Sequence, residues 1–291
     1  MAISFKYTVI SLFILSLSAC HKKMESTSLK PAATAKESDS TGYANVNGLT
    51  MYYEIHGSGF PIVLIHGGGS TIQTTFGHLL PLLAKNHKVI AVEMQAHGRT
   101  KDIDRPLSFK QDAEDIAALL KSLGIPKADI FGFSNGASTT LELSVRHPGI
   151  VNKIVVASTM FKKSGAPSWF WEMMSKPTFE QMPQQLKEGF LAVTPDSAAL
   201  MKMYHRDVAR MQSFTDMADE DIKNIQAPAL IMCGDKDVVT PEHAVEMNRL
   251  IKNSSLAIFP GGHGDYIGEI TTPLDSAVLQ GTFAVIEKFL Q

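Results

Sequence analysis

From position 49 onward the chain alternates short apolar runs with longer stretches of helical period. Five of those runs, 61–65, 88–92, 130–133, 154–157 and 229–233, are rich in Val and Ile and do not alternate with polar residues. Uninterrupted apolar strands of this length suit a parallel sheet covered on both faces. The segment 49–56 alternates loosely and reads as a half-exposed strand, and 256–259 as a further short strand. Helical patterns lie at 109–123, 137–147 and 241–251; the last has Thr240 placed as N-cap and Pro241 at the first helical position. Strand and helix in alternation predict an α/β chain built on a doubly wound, mostly parallel sheet.

Two stretches break the rhythm. Residues 21–42 are polar, rich in Lys, Ser, Thr and Ala, and read as a flexible tether. Residues 161–221 contain no convincing strand, and together with Met160 they hold eight of the chain's 14 methionines, beside Trp169, Phe170 and Trp171. They are expected to form an inserted helical cap, whose Met and aromatic residues also serve as its own core. The expected core is then 43–160 plus 222–291. No internal repeat is visible.

Composition narrows the class. With 44% hydrophobic and 19% charged residues in 291, the chain is globular rather than disordered or fibrous. A formal charge of −2 gives no global attraction to nucleic acid or anionic membranes, so no nucleic-acid partner is expected. Oligomeric state is not legible. No metal-ligand cluster or cofactor motif is visible, and none is expected to be needed.

The N-terminus is a separate matter. Thr8 to Ala19 is an uncharged, largely apolar run after a single Lys. At about 1.5 Å rise per residue it reaches about 18 Å, short of the roughly 30 Å of a bilayer core, so 1–19 reads as a signal peptide. The run ends in Leu17-Ser18-Ala19-Cys20, which resembles a bacterial lipobox. That resemblance implies lipidation of Cys20 and a membrane anchor in the cell envelope, on the periplasmic or outer-membrane side. Several acyl chains on one residue anchor stably where one binds only marginally. The other cysteine, Cys233, sits inside an apolar run and reads as a buried small residue.

The residues with reactive potential fall in a definite order. Gly132-Phe133-Ser134-Asn135-Gly136 follows the expected strand 130–133 and precedes a helix. Small residues at 132 and 136 let the chain turn sharply and lift the Ser134 hydroxyl clear of the sheet. A serine hydroxyl needs a base, and His263 in Gly261-Gly262-His263-Gly264-Asp265 is the best placed. The acid is expected just after a strand between the two: Asp237 is preferred, with Asp235 as the alternative. The strand ending near Ser158 offers no carboxylate. An oxyanion needs two backbone donors: the N–H of Asn135, and one from His66-Gly67-Gly68-Gly69, where Gly68 is preferred and Gly69 is next. No Lys-Ser/Thr pair follows that loop, which excludes a phosphate loop.

These motifs resemble the α/β-hydrolase superfamily over about 48–291. Ala96-His97-Gly98-Arg99-Thr100 is similar to the family's structural Gly-His-Gly-Arg-Ser stretch, with Ala96 where Gly is commoner, and His97 and Arg99 read as scaffold. Members with an aspartate nucleophile are excluded by Ser134. Esterases, lactonases, carbon–carbon bond hydrolases, aminopeptidases and cofactor-free haloperoxidases remain. An aminopeptidase needs a cap carboxylate for the substrate amine, for which Glu172 is available. Seven Lys or Arg against nine Asp or Glu in 160–222 leave the cap nearly charge-balanced. The expected function is therefore hydrolysis of a small, predominantly apolar carboxylic ester or lactone through an acyl-enzyme. The alternative from another class is a non-catalytic lipoprotein that uses the scaffold for binding.

Overall fold

The uninterrupted apolar runs become the interior strands of one sheet. The computed structural model of the chain describes residues 39–291. Its strands are β1 (Ser40–Val46), β2 (Leu49–His56), β3 (Pro61–Ile65), β4 (Lys88–Val92), β5 (Ala128–Phe133), β6 (Val151–Ala157), β7 (Ala229–Gly234) and β8 (Ser254–Phe259). They lie in the order β1-β2-β4-β3-β5-β6-β7-β8. The pairings from β4 through β8 are parallel, and β1 and β2 add an antiparallel edge.

The helices between and after these strands are α1 (Ile72–Phe76), α2 (Leu80–Leu83), α3 (Phe109–Ser122) and α4 (Asn135–Arg146). Between β6 and β7 the chain leaves the sheet and makes only helices: α5 (Ser168–Ser175), α6 (Gln184–Val193), α7 (Ser197–Gln212) and α8 (Asp219–Lys223), with short 3-10 turns between. The set closes with α9 (Pro241–Leu250) and α10 (Ser276–Leu290). Thr240 caps α9 by accepting from His243 N–H, with Pro241 opening the helix.

Successive side chains of a strand point to opposite faces, and both faces of this sheet are covered, so the runs need no polar positions. Val63 and Ile65 belong with Ile90, Ile130, Val156 and Ile231 on one face, under α3, α4 and α9. Ile62 and Leu64 belong with Val89, Phe131, Val155 and Leu230 on the other, under α1, α2 and α10. Each Val, Ile or Leu buried this way contributes about 1.5–3 kcal/mol. Among the described residues no helix is long and apolar enough to cross a membrane. The expected signal peptide, most of the tether and Cys20 lie outside the described residues.

One boundary needs correction. Residues 40–42, read as the end of the tether, are the start of β1, with Ser40 opposite Ile55 and Gly42 opposite Tyr53. The strand is an outer edge with mostly exposed positions, so it carries almost no apolar signal. Gly42 fits this placement: a Cβ there would lie 2.7 Å from the Tyr53 hydroxyl on the neighbouring strand.

Candidate active site

The C-terminal ends of the parallel strands converge on Ser134. It follows β5 and opens α4, which starts at Asn135 rather than near 137. Its φ of 53° lies in the left-handed region that a residue with a Cβ adopts only under strain. The turn has no spare room. A Cβ on Gly132 would sit 2.2 Å from Gly136 O, and one on Gly136 2.1 Å from Ile65 O. Ser134 N–H donates to Ala157 O at 2.9 Å, tying the turn to β6.

The base and the acid arrive from the loops after β8 and β7. Ser134 Oγ is 3.0 Å from His263 Nε2, and His263 Nδ1–H donates to Asp237 Oδ1 at 2.7 Å. The Asp237 side chain is fully buried and also receives Gly234 N–H and Val239 N–H, each at 3.2 Å. Ser158 Oγ–H donates to its other oxygen at 2.5 Å, and Tyr266 O–H in turn donates to Ser158 at 2.7 Å. Burial alone would raise the Asp237 carboxyl, but His263 and the Ser158 hydrogen bond outweigh it and hold it below the usual range. Burial would likewise lower His263, and Asp237 outweighs that, raising the imidazole above its ordinary value. Asp235 is exposed and instead accepts from Gly261 N–H at 2.8 Å, bracing the loop that carries His263.

The glycine loop lies against the serine: a Cβ on Gly67 would be 3.4 Å from Ser134 Cβ, and one on Gly68 2.3 Å from Asn135 Nδ2. His66 Nδ1–H donates to Gly67 O at 2.7 Å, while its Nε2 accepts Met94 N–H at 3.1 Å. Burial, with His97 adjacent, pushes His66 down to about 3, so it stays neutral with its proton on Nδ1. Because C=O and N–H of a trans peptide point opposite ways, this bond turns Gly68 N–H away from His66. Among the described residues neither Gly68 N–H nor Asn135 N–H has a hydrogen-bond partner. Gly69 N–H is engaged, donating to Asp207 Oδ2 at 2.6 Å.

Above the serine is a cavity of about 380 Å³ lined by Ser134, His263, Gly68 and Asn135. Its far wall comes largely from the segment between β6 and β7, including Met173, Met174, Met182, Met203 and Met211. Thioethers fill irregular space and adapt to varied apolar shapes. A nucleophilic hydroxyl, a base held in one tautomer, and two unpaired N–H groups beneath a largely apolar cavity can carry out acyl transfer.

The sequence profile of the alpha/beta hydrolase family matches residues 62–269, most of the chain and every residue of this arrangement. The chain belongs to the α/β-hydrolase family. It is similar to human serine hydrolase BPHL, 26% identical over 244 residues, covering 80% of this chain and 82% of that one. It is also similar to pimeloyl-[acyl-carrier protein] methyl ester esterase of Neisseria meningitidis serogroup B, 27% identical over 220 residues, covering 68% and 83%. Among solved structures, the enol-lactonase of Burkholderia xenovorans LB400 superposes with a TM-score of 0.68 at 18% identity, over 85% of this chain and 99% of that one. That level of identity speaks for the shared fold alone.

The departure from the family's structural stretch has a physical expression: Ala96 takes φ 68°, a conformation open to glycine and strained for alanine. Arg99 is scaffold, its N–H and guanidinium both on the buried Glu93 at 2.6 and 2.8 Å. His97 donates through Nε2 to Asp207 at 2.8 Å. Cys233 is buried, and burial pushes its thiol up to about 12, so it is no competing nucleophile. Glu172 is exposed and does not line the cavity. Sequence reasoning missed Ser158, Tyr266 and Asp207. Only Ser158 carries a signal, as a hydroxyl at the end of β6, where a triad acid can sit and no carboxylate does. Among the described residues no group of His, Cys, Asp and Glu is arranged to hold a metal ion.

Proposed function

We propose that this member of the family is a serine hydrolase that cleaves a small, predominantly apolar carboxylic ester or lactone through an acyl-enzyme, with residues 161–221 acting as a cap over the site. The observation that carries the reading is the continuous row Ser134–His263–Asp237 beside two unpartnered N–H groups. In this reading Ser134 Oγ attacks the substrate carbonyl carbon while its proton passes to His263 Nε2. The carbonyl oxygen, now an oxyanion, is held by Gly68 N–H and Asn135 N–H. Collapse breaks the ester bond, and the leaving alcohol takes the proton from His263. Water then adds to the acyl group by the same route, and Ser134 is restored. The esterase among the similar proteins, and the absence of an unspent carboxylate among the described cavity-lining residues, favour an ester over an amine-bearing peptide.

The test is hydrolysis of a panel of p-nitrophenyl esters of increasing acyl length together with lactones of increasing ring size. Turnover of none of them above the buffer rate removes the proposal and favours a binding role for the scaffold. The acid limb is a second check. His263 must be neutral to accept the serine proton, and its pKa is raised, so activity is lost as pH falls through a value above the ordinary 6.5. A pH profile of kcat/KM is expected to show that limb, and a profile with no acid limb in the histidine range would contradict the assignment of His263 as base.

We also propose export and attachment to the cell envelope through lipid on Cys20. Cys20→Ser is expected to move the protein from the membrane fraction to the soluble fraction on cell fractionation. Continued membrane association of the variant would refute the anchor.

A further inference from the structure

Three glycines in a row, 67–69, make the oxyanion loop close-fitting and also conformationally free, since glycine loses the most backbone freedom on folding. Such a loop needs ties from outside itself. His66 supplies one, orienting the 67–68 peptide. Thr75 Oγ1 takes Gly67 N–H and Ser70 Oγ–H donates to Gly68 O, each at a long 3.4 Å, and the shortest tie comes from the inserted helices. Asp207, on α7, reaches the loop and accepts Gly69 N–H at 2.6 Å and His97 Nε2–H at 2.8 Å on the same oxygen, Oδ2. Gly69 also lies 3.3 Å from His97 Nε2, but that nitrogen is itself the donor to Asp207. The second oxygen of Asp207 takes Arg210, whose other terminal nitrogen donates to Asp112 on α3 at 2.8 Å. A Cβ on Gly68 would sit 3.3 Å from Asp207 Oδ2, so the carboxylate lies directly over the loop.

We propose that Asp207 is a positioning residue for the oxyanion hole: by clamping Gly69 N–H from the inserted helix α7, it fixes the 68–69 peptide and with it the far side of Gly68, so that the adjoining 67–68 peptide, tied by His66, keeps Gly68 N–H facing the space beside Ser134. The inference rests on the hydrolase reading above. A carboxylate suits the task because one of its oxygens takes two donors, and charge-assisted bonds are shorter and stronger than neutral ones. Its charge does not oppose a nearby oxyanion, because Arg210 and His97 offset it. Burial alone would lower His97, but the Asp207 carboxylate outweighs that and raises it. Its charge is already matched by Arg210 and His97, so Asp207 is committed to the loop and not to a substrate cation.

The experiment compares the full chain with Asp207→Ala, Asp207→Asn and Asp207→Glu on a p-nitrophenyl ester. It also measures inhibition by an alkyl boronic acid, which forms a tetrahedral adduct on Ser134, and binding of an alkane-tailed alcohol that forms none. Losing one oxyanion donor costs about 10²–10³ in kcat. Displacing it through Asp207→Ala is expected to cost about 10–100-fold, with KM within threefold. Boronate affinity should fall by the same factor and alcohol affinity should be unchanged. Asn keeps one acceptor oxygen for Gly69 N–H but turns its NH₂ toward Arg210, so it is expected to recover part of the loss and fall between Ala and wild type. A kcat within twofold for Ala, or equal losses in boronate and alcohol affinity, overturns the proposal. Should Ala fail to fold, Glu decides: it keeps the charge but moves the oxygen by one methylene, and wild-type kcat in that variant overturns the proposal. If wild type neither hydrolyses the ester nor binds the boronate, the hydrolase reading itself has failed and this one with it.

Discussion

Ser134→Ala is expected to lose about 10⁴–10⁶-fold in kcat on a short-chain p-nitrophenyl ester, the scale on which removal of a serine nucleophile is felt. The loss is expected without unfolding. Among the described residues Ser134 Oγ bonds to His263 alone, and the backbone bond to Ala157 O is kept by alanine. The φ of 53° strains serine and alanine alike, so the strain is common to both proteins and cancels in the comparison. Matching thermal transitions alongside the collapse of kcat would separate chemistry from folding. A variant that turns over at the wild-type rate would sink the nucleophile assignment and leave the scaffold as a binding protein.

The second large effect concerns the acid. Asp237→Asn is expected to cost about 10⁴-fold in kcat, and Asp235→Asn less than tenfold. Asp237 receives four donors on a side chain with no exposure: the imidazole, the Ser158 hydroxyl and two backbone N–H groups. An amide there must turn its own NH₂ toward one of them. Either the imidazole flips to the wrong tautomer or a buried donor is left unpaired. Asp235, exposed, bonds only to Gly261 N–H, which an asparagine oxygen also satisfies. Steady-state kinetics of the two single variants decides between them, and a larger loss at 235 would reverse the assignment.

The parts of the molecule written in local pattern are legible in the sequence. β3 and β4 fall where the apolar runs lie, because a strand buried on both faces has no polar position to blur its edges. β5 and β6 begin two or three residues earlier than their runs, at Ala128 and Val151. The polar residues there hide the start of each strand, and they pair with one another: Asp129 accepts from the Asn152 amide and from Lys153 N–H. β1 is hidden because an exposed edge needs no apolar signature. Within the site, Ser134, His263 and Asp237 can be placed because each sits on a glycine-marked loop at a strand end in a fixed chain order. Asp207 cannot: it meets Gly69 across 138 residues of sequence, and nothing in a helix of mixed Met and charged residues says which carboxylate turns inward. Tyr266 is equally silent, since its partnership with Ser158 spans 108 residues.

The helices between β6 and β7 are one contiguous stretch of chain, and it is tempting to see in such a stretch an exchangeable cassette for refitting the cavity. The carboxylate on α7 argues otherwise. A donor segment grafted at the same two junctions would have to bring its own acceptor to Gly69 and its own counter-charges for His97 and Arg210's neighbour Asp112. On the proposal above, the lining of the cavity and the hold on the 68–69 peptide are inherited together in this chain. Directed evolution of its cavity is best confined to the methionines off α7, Met173, Met174 and Met182, with α7 left as the keystone.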